Sequence, residues 1–250
     1  MRRLKFDPST IALGFALVLV LWRVVLPMAL LVLNSFRIGP PSFSGGIWTL
    51  RNYRAAFNNP FFLGALFNTA IFSILATAGG LVTAILFAWL IERSDMPPRG
   101  AAWVVMLLPI AMPGVIFALT WMLLLMPEVG LVNIIVRWFL SLFGFSLERG
   151  PFDIQTLSGM IFLGWLRGVS TIFLMIVGVF RMMDPRLEEA GRLSGATPAT
   201  VFRRVTLPLA GPALFAAGIY SFVDHLDSFE GPLVLGLAAR IFVLSTLIYF

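Results

Sequence analysis

Long apolar runs constrain this chain more than any other feature of its sequence. A bilayer core requires about 20 consecutive apolar residues in helical form. Five segments meet that requirement: 11–33, 61–91, 101–126, 154–180 and 209–223. Only 12% of the residues are charged, against roughly 25% in an average soluble domain. Because so few charges cannot cover a soluble surface, the sequence predicts an all-α, polytopic membrane protein built as one helical bundle over residues 1–250.

The residue inventory excludes several functional classes. Lys5 is the only lysine, so the chain contains no Gly-x-x-x-x-Gly-Lys phosphate loop and cannot hydrolyse ATP by that chemistry. His225 is the only histidine, and cysteine is absent, which excludes multi-histidine and thiolate metal sites and leaves little for acid–base catalysis. The arginines are scattered rather than clustered on a basic face. We therefore predict a chain that is not an enzyme, has no catalytic residues, binds no metal or cofactor and has no nucleic-acid partner.

The distribution of basic residues predicts the orientation, because cytoplasmic segments carry an excess of Lys and Arg. With the N-terminus in the cytoplasm, the segments 1–10, 92–100 and 181–208 hold ten of them, and the opposite side holds six. The first apolar run lacks a small-x-small cleavage site, so we interpret it as an uncleaved span. The expected location is the bacterial cytoplasmic, or inner, membrane.

Residues 184–208 form an unusually polar segment between two apolar runs. Asp184 and Pro185 are a typical N-cap and first helical residue, and Gly195 can adopt the positive φ that ends a helix. Thr197-Pro198 repeats the start signal and predicts a second short helix through Val205. We expect this helix to expose Phe202 and to end at Leu207-Pro208. Two capped helices around a glycine turn favour a docking surface over a solvated loop.

The same segment carries a motif. Glu189-Ala190-Gly191, three residues, Gly195, nine residues, Val205, one residue and Leu207-Pro208 resemble the Glu-Ala-Ala-x3-Gly-x9-Ile-x-Leu-Pro signature of binding-protein-dependent ABC importer permeases. Gly191 and Val205 depart from it. The resemblance implies a type I permease fold whose 184–208 loop forms coupling helices in a groove of a separate ATPase, which uses the ATP. The ATPase-coupling residues that it implies are Glu189, Ala190, Gly191, Gly195, Phe202, Val205, Leu207 and Pro208.

The resemblance extends over residues 67–100, 107–133 and 227–249. The last two stretches are similar to the N-terminal half of double-length permeases often assigned to ferric iron. This implies about five spans with a sixth cut off, a second permease half that is fused or separate, and a periplasmic or extracellular substrate-binding protein. Ferric iron is the expected substrate, and permeases for polyamines, thiamine and phosphonates share much of the same likeness.

Polar groups in or near spans are costly and often functional. The candidates for the substrate path are Asn68, Arg167, Asp224, His225, Asp227 and Glu230. The alternative roles are helix capping or pairing with Arg240 for the acidic residues, and contact with a neighbouring helix for Asn68 and Arg167. An ion-gradient-driven transporter is a competing hypothesis, but it predicts acidic residues inside spans. The first four apolar segments have no interior Asp or Glu. A membrane scaffold that only docks a partner is also compatible with the motif.

Three further patterns concern packing. Ala76, Gly80, Ala84 and Ala88 recur every four residues and predict a ridge on which another helix lies closely. Pro109 and Pro113 are expected to kink the third span. The apolar stretch 131–145 is short and carries Arg137, so it predicts an interfacial or re-entrant element.

Overall fold

A computed structural model describes residues 8–39 and 46–249 of the chain, so the predicted cytoplasmic residues Arg2, Arg3 and Lys5 lie outside the described part. The chain divides into two compact units, one up to Phe62 and one from Leu63. The first unit contains helix α1 (Pro8–Ser35), the antiparallel strands β1 (Arg37–Ile38) and β2 (Ile47–Trp48), and helix α2 (Arg51–Phe57). The Asn52 side chain donates hydrogen bonds to the carbonyls of Ser35 and Arg37, which holds α2 against β1.

The regular elements described in the second unit are all helices. Its elements are α3 (Phe62–Arg93, whose first residue is counted with the first unit), α4 (Arg99–Ala111), α5 (Gly114–Leu125), α6 (Leu131–Ser141), α7 (Leu157–Met182), α8 (Pro185–Leu193), α9 (Pro198–Val201), a π-helical turn (Phe202–Thr206), α10 (Leu207–Leu226), α11 (Glu230–Ala239) and α12 (Leu244–Leu247). Four helices among the described residues are long and apolar enough to cross a membrane, or five spans if α4 and α5 count as one broken span. The predicted all-α polytopic fold is confirmed.

The small-residue ridge on α3 packs against α7. Ala76, Gly80, Ala84 and Ala88 are all buried. A Cβ added at Gly80 would lie 2.9 Å from the Cδ1 atom of Ile172 on α7, so the backbone of α3 approaches α7 more closely than a larger residue permits. The predicted close-packing ridge is therefore present.

The third apolar run is broken rather than kinked. The chain bends by 108° between helices α4 and α5, and Met112 between them has extended backbone angles. The residue before a proline is pushed out of the helical region, and Pro113 has no N–H to continue the ladder. The expected bend of the third span is therefore present at Pro113, where it is strong enough to break the helix, whereas Pro109 lies inside α4 without ending it.

Helix α6 is fixed to the loops on both of its sides. Its buried Asn133 donates to the carbonyls of Met126 and Phe152 and accepts from the N–H of Phe152. The Arg137 guanidinium donates to two further loop carbonyls. The helix has 11 residues, too few to cross a bilayer, and its outward face is apolar, with exposed Trp138. Its predicted position at the membrane surface stays a prediction.

Candidate functional site

The 184–208 loop begins with the two capped helices expected from its sequence. The Asp184 carboxylate accepts a hydrogen bond of 3.0 Å from the N–H of Arg186, and Pro185 is the first residue of α8. The Thr197 hydroxyl accepts from the N–H of Thr200, and Pro198 opens α9. Both start signals are therefore confirmed.

Gly195 ends α8 in the left-handed conformation, with φ of +85°. The N–H of Ala196 donates to the carbonyl of Gly191, and the N–H of Gly195 donates to the carbonyl of Arg192. This pair of hydrogen bonds is a Schellman motif, which satisfies carbonyls at the end of a helix. The glycine turn therefore fixes the angle between α8 and α9.

The helix that starts at Pro198 does not end at Leu207-Pro208. Residues Pro198–Leu226 form one continuous apolar helix, in which the N–H of Leu207 bonds to the carbonyl of Phe202 across the π turn. A π turn changes the hydrogen-bond register by one residue, and Pro208 falls in the first turn of α10, where a missing N–H is tolerated. The predicted helix end at Leu207-Pro208 is therefore wrong.

The apolar stripe of this helix faces the bundle. Val201 is buried, and the ring of Phe202 is half-buried with its centroid 5.1 Å from that of Trp89 on α3. The expectation that Phe202 is exposed is wrong, because an aromatic partner distant in sequence covers it. The exposed surface of the loop instead carries Glu189 and Leu193, and Leu193 is 90% exposed.

The motif departure at Gly191 has a structural counterpart. A Cβ added there would lie 3.1 Å from the Cγ2 atom of Val201. The second helix thus packs directly on the glycine, and the missing methyl group brings α8 and α9 together. The remaining motif positions lie at or near the surface. Ala190 and Pro208 are exposed, and Val205 and Leu207 are half-buried.

Sequence reasoning missed two residues of the loop. Leu193 is its most exposed large apolar side chain, and Glu188 is its buried acid. The hydroxyl of Thr206 donates to Glu188 at 2.8 Å, and the Nε atom of Arg93 lies 3.8 Å from the same carboxylate. A solvent-facing leucine next to a glycine turn is a weak sequence signal for Leu193. No local signal predicts a contact between Arg93 and Glu188.

A second feature is a cavity of about 420 Å³. It lies where the α4–α5 break meets α7, α10 and the start of α11. It combines aromatic rings with charged side chains. Its lining includes Phe72, Gly114, Phe117, Gly164, Arg167, Thr171, Asp224, His225, Asp227, Phe229 and Glu230. Five of the six predicted substrate-path residues therefore come together in one place.

The lining of the cavity includes an ion pair. The Arg167 NH2 group lies 3.7 Å from the Glu230 carboxylate, and its NH1 group donates to the carbonyl of Met112 at the break. A Cβ at Gly114 would overlap the Glu230 carboxylate, 1.4 Å from Oε2. Gly114 therefore provides the space in which the pair forms, at the first residue of α5.

His225 is a buried junction of three helices rather than a free cavity group. Its Nδ1 atom is 2.7 Å from the carbonyl of Ser221 and 3.2 Å from the hydroxyl of Thr77, and its Nε2 atom is 3.1 Å from the carbonyl of Gly164. His225, which α10 carries, thus contacts α3 through Thr77 and α7 through Gly164, and it fixes the distance between the three helices at the cavity wall.

The other candidates separate. Asn68 does not line the cavity; its side chain donates to the carbonyl of Phe242 and so holds the segment between α11 and α12. Asp224 and Asp227 are exposed at the cavity. No set of three or more His, Cys, Asp or Glu side chains suited to a metal ion occurs in the described part of the chain.

Comparison with known proteins finds relatives among transport permeases. No family model matches the chain. The UgpA permease protein of the sn-glycerol-3-phosphate transport system of Salmonella typhimurium LT2 is 30% identical over 193 residues, and that of Pectobacterium atrosepticum is 27% identical over 191. Each alignment covers 75% of this chain and 63% of the relative. The chain thus spans less than two thirds of these transport permeases.

Two solved structures share the fold. A bacterial alginate ABC transporter in complex with an alginate-bound periplasmic protein matches 99% of this chain and 85% of its own chain, with a TM-score of 0.75 and 23% identity. A bacterial ABC transporter involved in the import of the acidic polysaccharide alginate matches 97% and 80%, with a TM-score of 0.70 and 19% identity.

The names of these proteins refer to sn-glycerol-3-phosphate and alginate. None of them refers to iron. These relatives therefore do not support the ferric-iron substrate expected from the sequence. They do support the expected likeness to transport permeases.

Proposed function

We propose that this chain is the transmembrane subunit of an ATP-driven, binding-protein-dependent importer, and its similarity to the UgpA transport permeases and to the folds of two ABC transporters supports the proposal. A separate ATPase docks on the 184–208 loop, and a substrate-binding protein delivers solute from the opposite side. The observation that carries the proposal is the loop itself, whose two capped helices and Schellman turn at Gly195 display Glu189 and Leu193 outward.

The exposed surface of the loop suits protein docking. Leu193 is 90% exposed, beside the turn that fixes α8. Burying a fully exposed leucine side chain gains roughly 1.5–3 kcal/mol, so a partner that covers Leu193 gains affinity from it. Arg203 and Arg204 are also exposed and provide a polar margin to this surface. The ATPase groove would therefore receive Leu193 as its apolar anchor.

The cavity at the α4–α5 break is the proposed substrate path. Arg167 offers N–H donors, the carboxylates at Asp224 and Asp227 accept hydrogen bonds, and the ring of Phe117 offers an apolar face. These groups suit a hydroxylated solute, and the names of the relatives refer to sn-glycerol-3-phosphate and to alginate, an acidic polysaccharide. A second permease half, fused or separate, would complete the path.

Docking on Leu193 can be tested by substitution in the complex with its ATPase. Changing Leu193 to Glu removes an apolar anchor without removing an internal contact, so we expect the ATPase to bind about tenfold more weakly, the effect of a typical interface anchor. Association is measured by co-purification of the two proteins from detergent solution over a series of ATPase concentrations. Because the chain has no cysteine, Leu193→Cys can also be cross-linked to the ATPase.

Ile47→Glu is the matched control. Ile47 is 78% exposed and apolar, but it is predicted on the opposite side of the membrane, so ATPase binding should not change. Equal binding by wild type and Leu193→Glu would contradict docking on this loop. Uptake of radiolabelled sn-glycerol-3-phosphate into liposomes without any ATPase would instead favour an ion-gradient-driven transporter.

A further inference from the structure

Glu188 differs from the other acidic residues of the 184–208 loop. It is 7% exposed, whereas Asp184 and Glu189 are exposed. A buried carboxylate is costly unless it is paired and hydrogen-bonded. Because an apolar residue would fill the same space without that cost, the position of Glu188 requires an explanation beyond packing.

The partners of Glu188 come from distant parts of the chain. The Thr206 hydroxyl, which is fully buried, donates to Oε1 at 2.8 Å. The Nε atom of Arg93 lies 3.8 Å from the same oxygen; the Arg93 side chain is 7% exposed and the Glu188 side chain 10%. Arg93 also donates to the carbonyl of Phe180 at 2.9 Å and to that of Met183. One carboxylate therefore joins α8 to the π turn and to the ends of α3 and α7.

The contact with Thr206 connects the loop to the cavity. Thr206 is the last residue of the π turn, which continues directly into α10. The other end of α10 carries His225, which is fixed to α3 and α7 at the cavity wall. π turns inside helices occur frequently at functional sites. The exposed surface of α8 and the cavity are thus the two ends of one hydrogen-bonded assembly.

We propose that Glu188 is a positioning residue that makes α8 move as one body with α10, so that a displacement of the loop reaches the cavity end of α10. The proposal rests on the proposed function, since it requires that an ATPase displaces the loop. Buried ion pairs can often be replaced by apolar residues without loss of stability. The directional bonds of Glu188 therefore serve to fix register between two elements rather than to stabilise the fold.

The test uses the complex with its ATPase, reconstituted in lipid, and a fluorescent probe on Leu226→Cys. Leu226 is the last residue of α10 and is 39% exposed. The measured quantity is the change in probe fluorescence between the nucleotide-free state and the state trapped with ATP and vanadate. Cross-linking of Leu193→Cys to the ATPase is measured in parallel as an independent record of docking.

We expect Glu188→Met to reduce the nucleotide-dependent fluorescence change about fivefold, the lower end of typical coupling between sites, with an unchanged cross-linking yield. Thr206→Val should have a similar effect, and the double variant should be no worse than either single one, because the two residues act through the same bond. If Glu188→Met does not fold, Thr206→Val removes the same hydrogen bond from its donor side. Glu148→Met, on an exposed side chain, is the control for the chemical change.

Two results would overturn the proposal: an unchanged fluorescence response in Glu188→Met or in Thr206→Val, or a parallel loss of cross-linking, which would place Glu188 in the docking surface itself. Failure of the wild-type complex to cross-link at position 193 has a different meaning. It would contradict the proposed docking on the loop and hence the proposed function.

Discussion

Replacing Gly195 tests whether the turn between α8 and α9 depends on backbone conformation alone. The residue has φ of +85°, and a Cβ added there would meet no atom within 4 Å. Steric contact with neighbours therefore contributes nothing. An L-residue in the left-handed region costs roughly 1–2 kcal/mol, and the lower entropy of the unfolded chain returns about 0.4–1 kcal/mol. We expect Gly195→Ala to destabilise the turn by about 1 kcal/mol.

Gly178 provides a matched control. A Cβ there would also meet no atom within 4 Å, but Gly178 lies inside α7 with helical geometry. Gly178→Ala should therefore stabilise its helix by up to about 1 kcal/mol. The two variants make the same chemical change in equally open space, and their free energies should differ by about 2 kcal/mol. Gly195→Asn should be milder than Gly195→Ala, because Asn tolerates positive φ.

Hydrogen exchange measured by mass spectrometry can resolve these effects. The amide of Ala196 is held by the carbonyl of Gly191, so a loss of about 1 kcal/mol should speed its exchange roughly fivefold when opening is local. Slower or equal exchange around residue 196 in Gly195→Ala would refute the reasoning. Changes in stability of the same sign and size in Gly195→Ala and Gly178→Ala would also refute it.

Two further substitutions address glycines that have close neighbours. Gly191→Ala restores the residue of the signature, and its Cβ would lie 3.1 Å from the Cγ2 atom of Val201. We therefore expect the full gain in helix propensity, about 1 kcal/mol, only when Gly191→Ala is made in the Val201→Ala background. Thermal unfolding of the single and double variants measures the gain in each background, and equal gains would contradict the contact. Gly114→Ala would displace the Glu230 carboxylate and so break its pair with Arg167. A half-exposed pair contributes only about 0.2–1 kcal/mol, so solute uptake should fall while the unfolding midpoint changes little, and a large loss of stability would show that the pair has a structural role instead.

Local signals in the sequence were sufficient for the starts of the two loop helices and for the glycine turn between them. Asp184-Pro185 and Thr197-Pro198 act within one turn of their own positions, and Gly195 needs only its own backbone freedom. The small-residue ridge on α3 was equally readable, because its spacing of four residues is a property of one helix. These features do not depend on which other segment packs nearby.

The errors came from contacts between distant residues and from hydrogen-bond register. Phe202 looks exposed until Trp89 covers it, and their 113-residue separation leaves no local trace. Leu207-Pro208 is a normal helix-ending signal, but the preceding π turn changes the register so that the proline is accommodated. For Asn68 the sequence left open a path role or a packing partner, and only the fold shows that its side chain donates to the carbonyl of Phe242.

The break between α4 and α5 gives Arg167 two duties. The carbonyl of Met112 follows the last turn of α4, and the guanidinium that binds it is supplied by α7, 55 residues later. Arg167 thus acts as a helix cap provided by another helix, while the same group neutralises Glu230 in the cavity. The charge of the cavity and the capping of a bent span therefore share one side chain. A substitution that adapted the cavity to a different solute at this position would also leave the end of α4 uncapped.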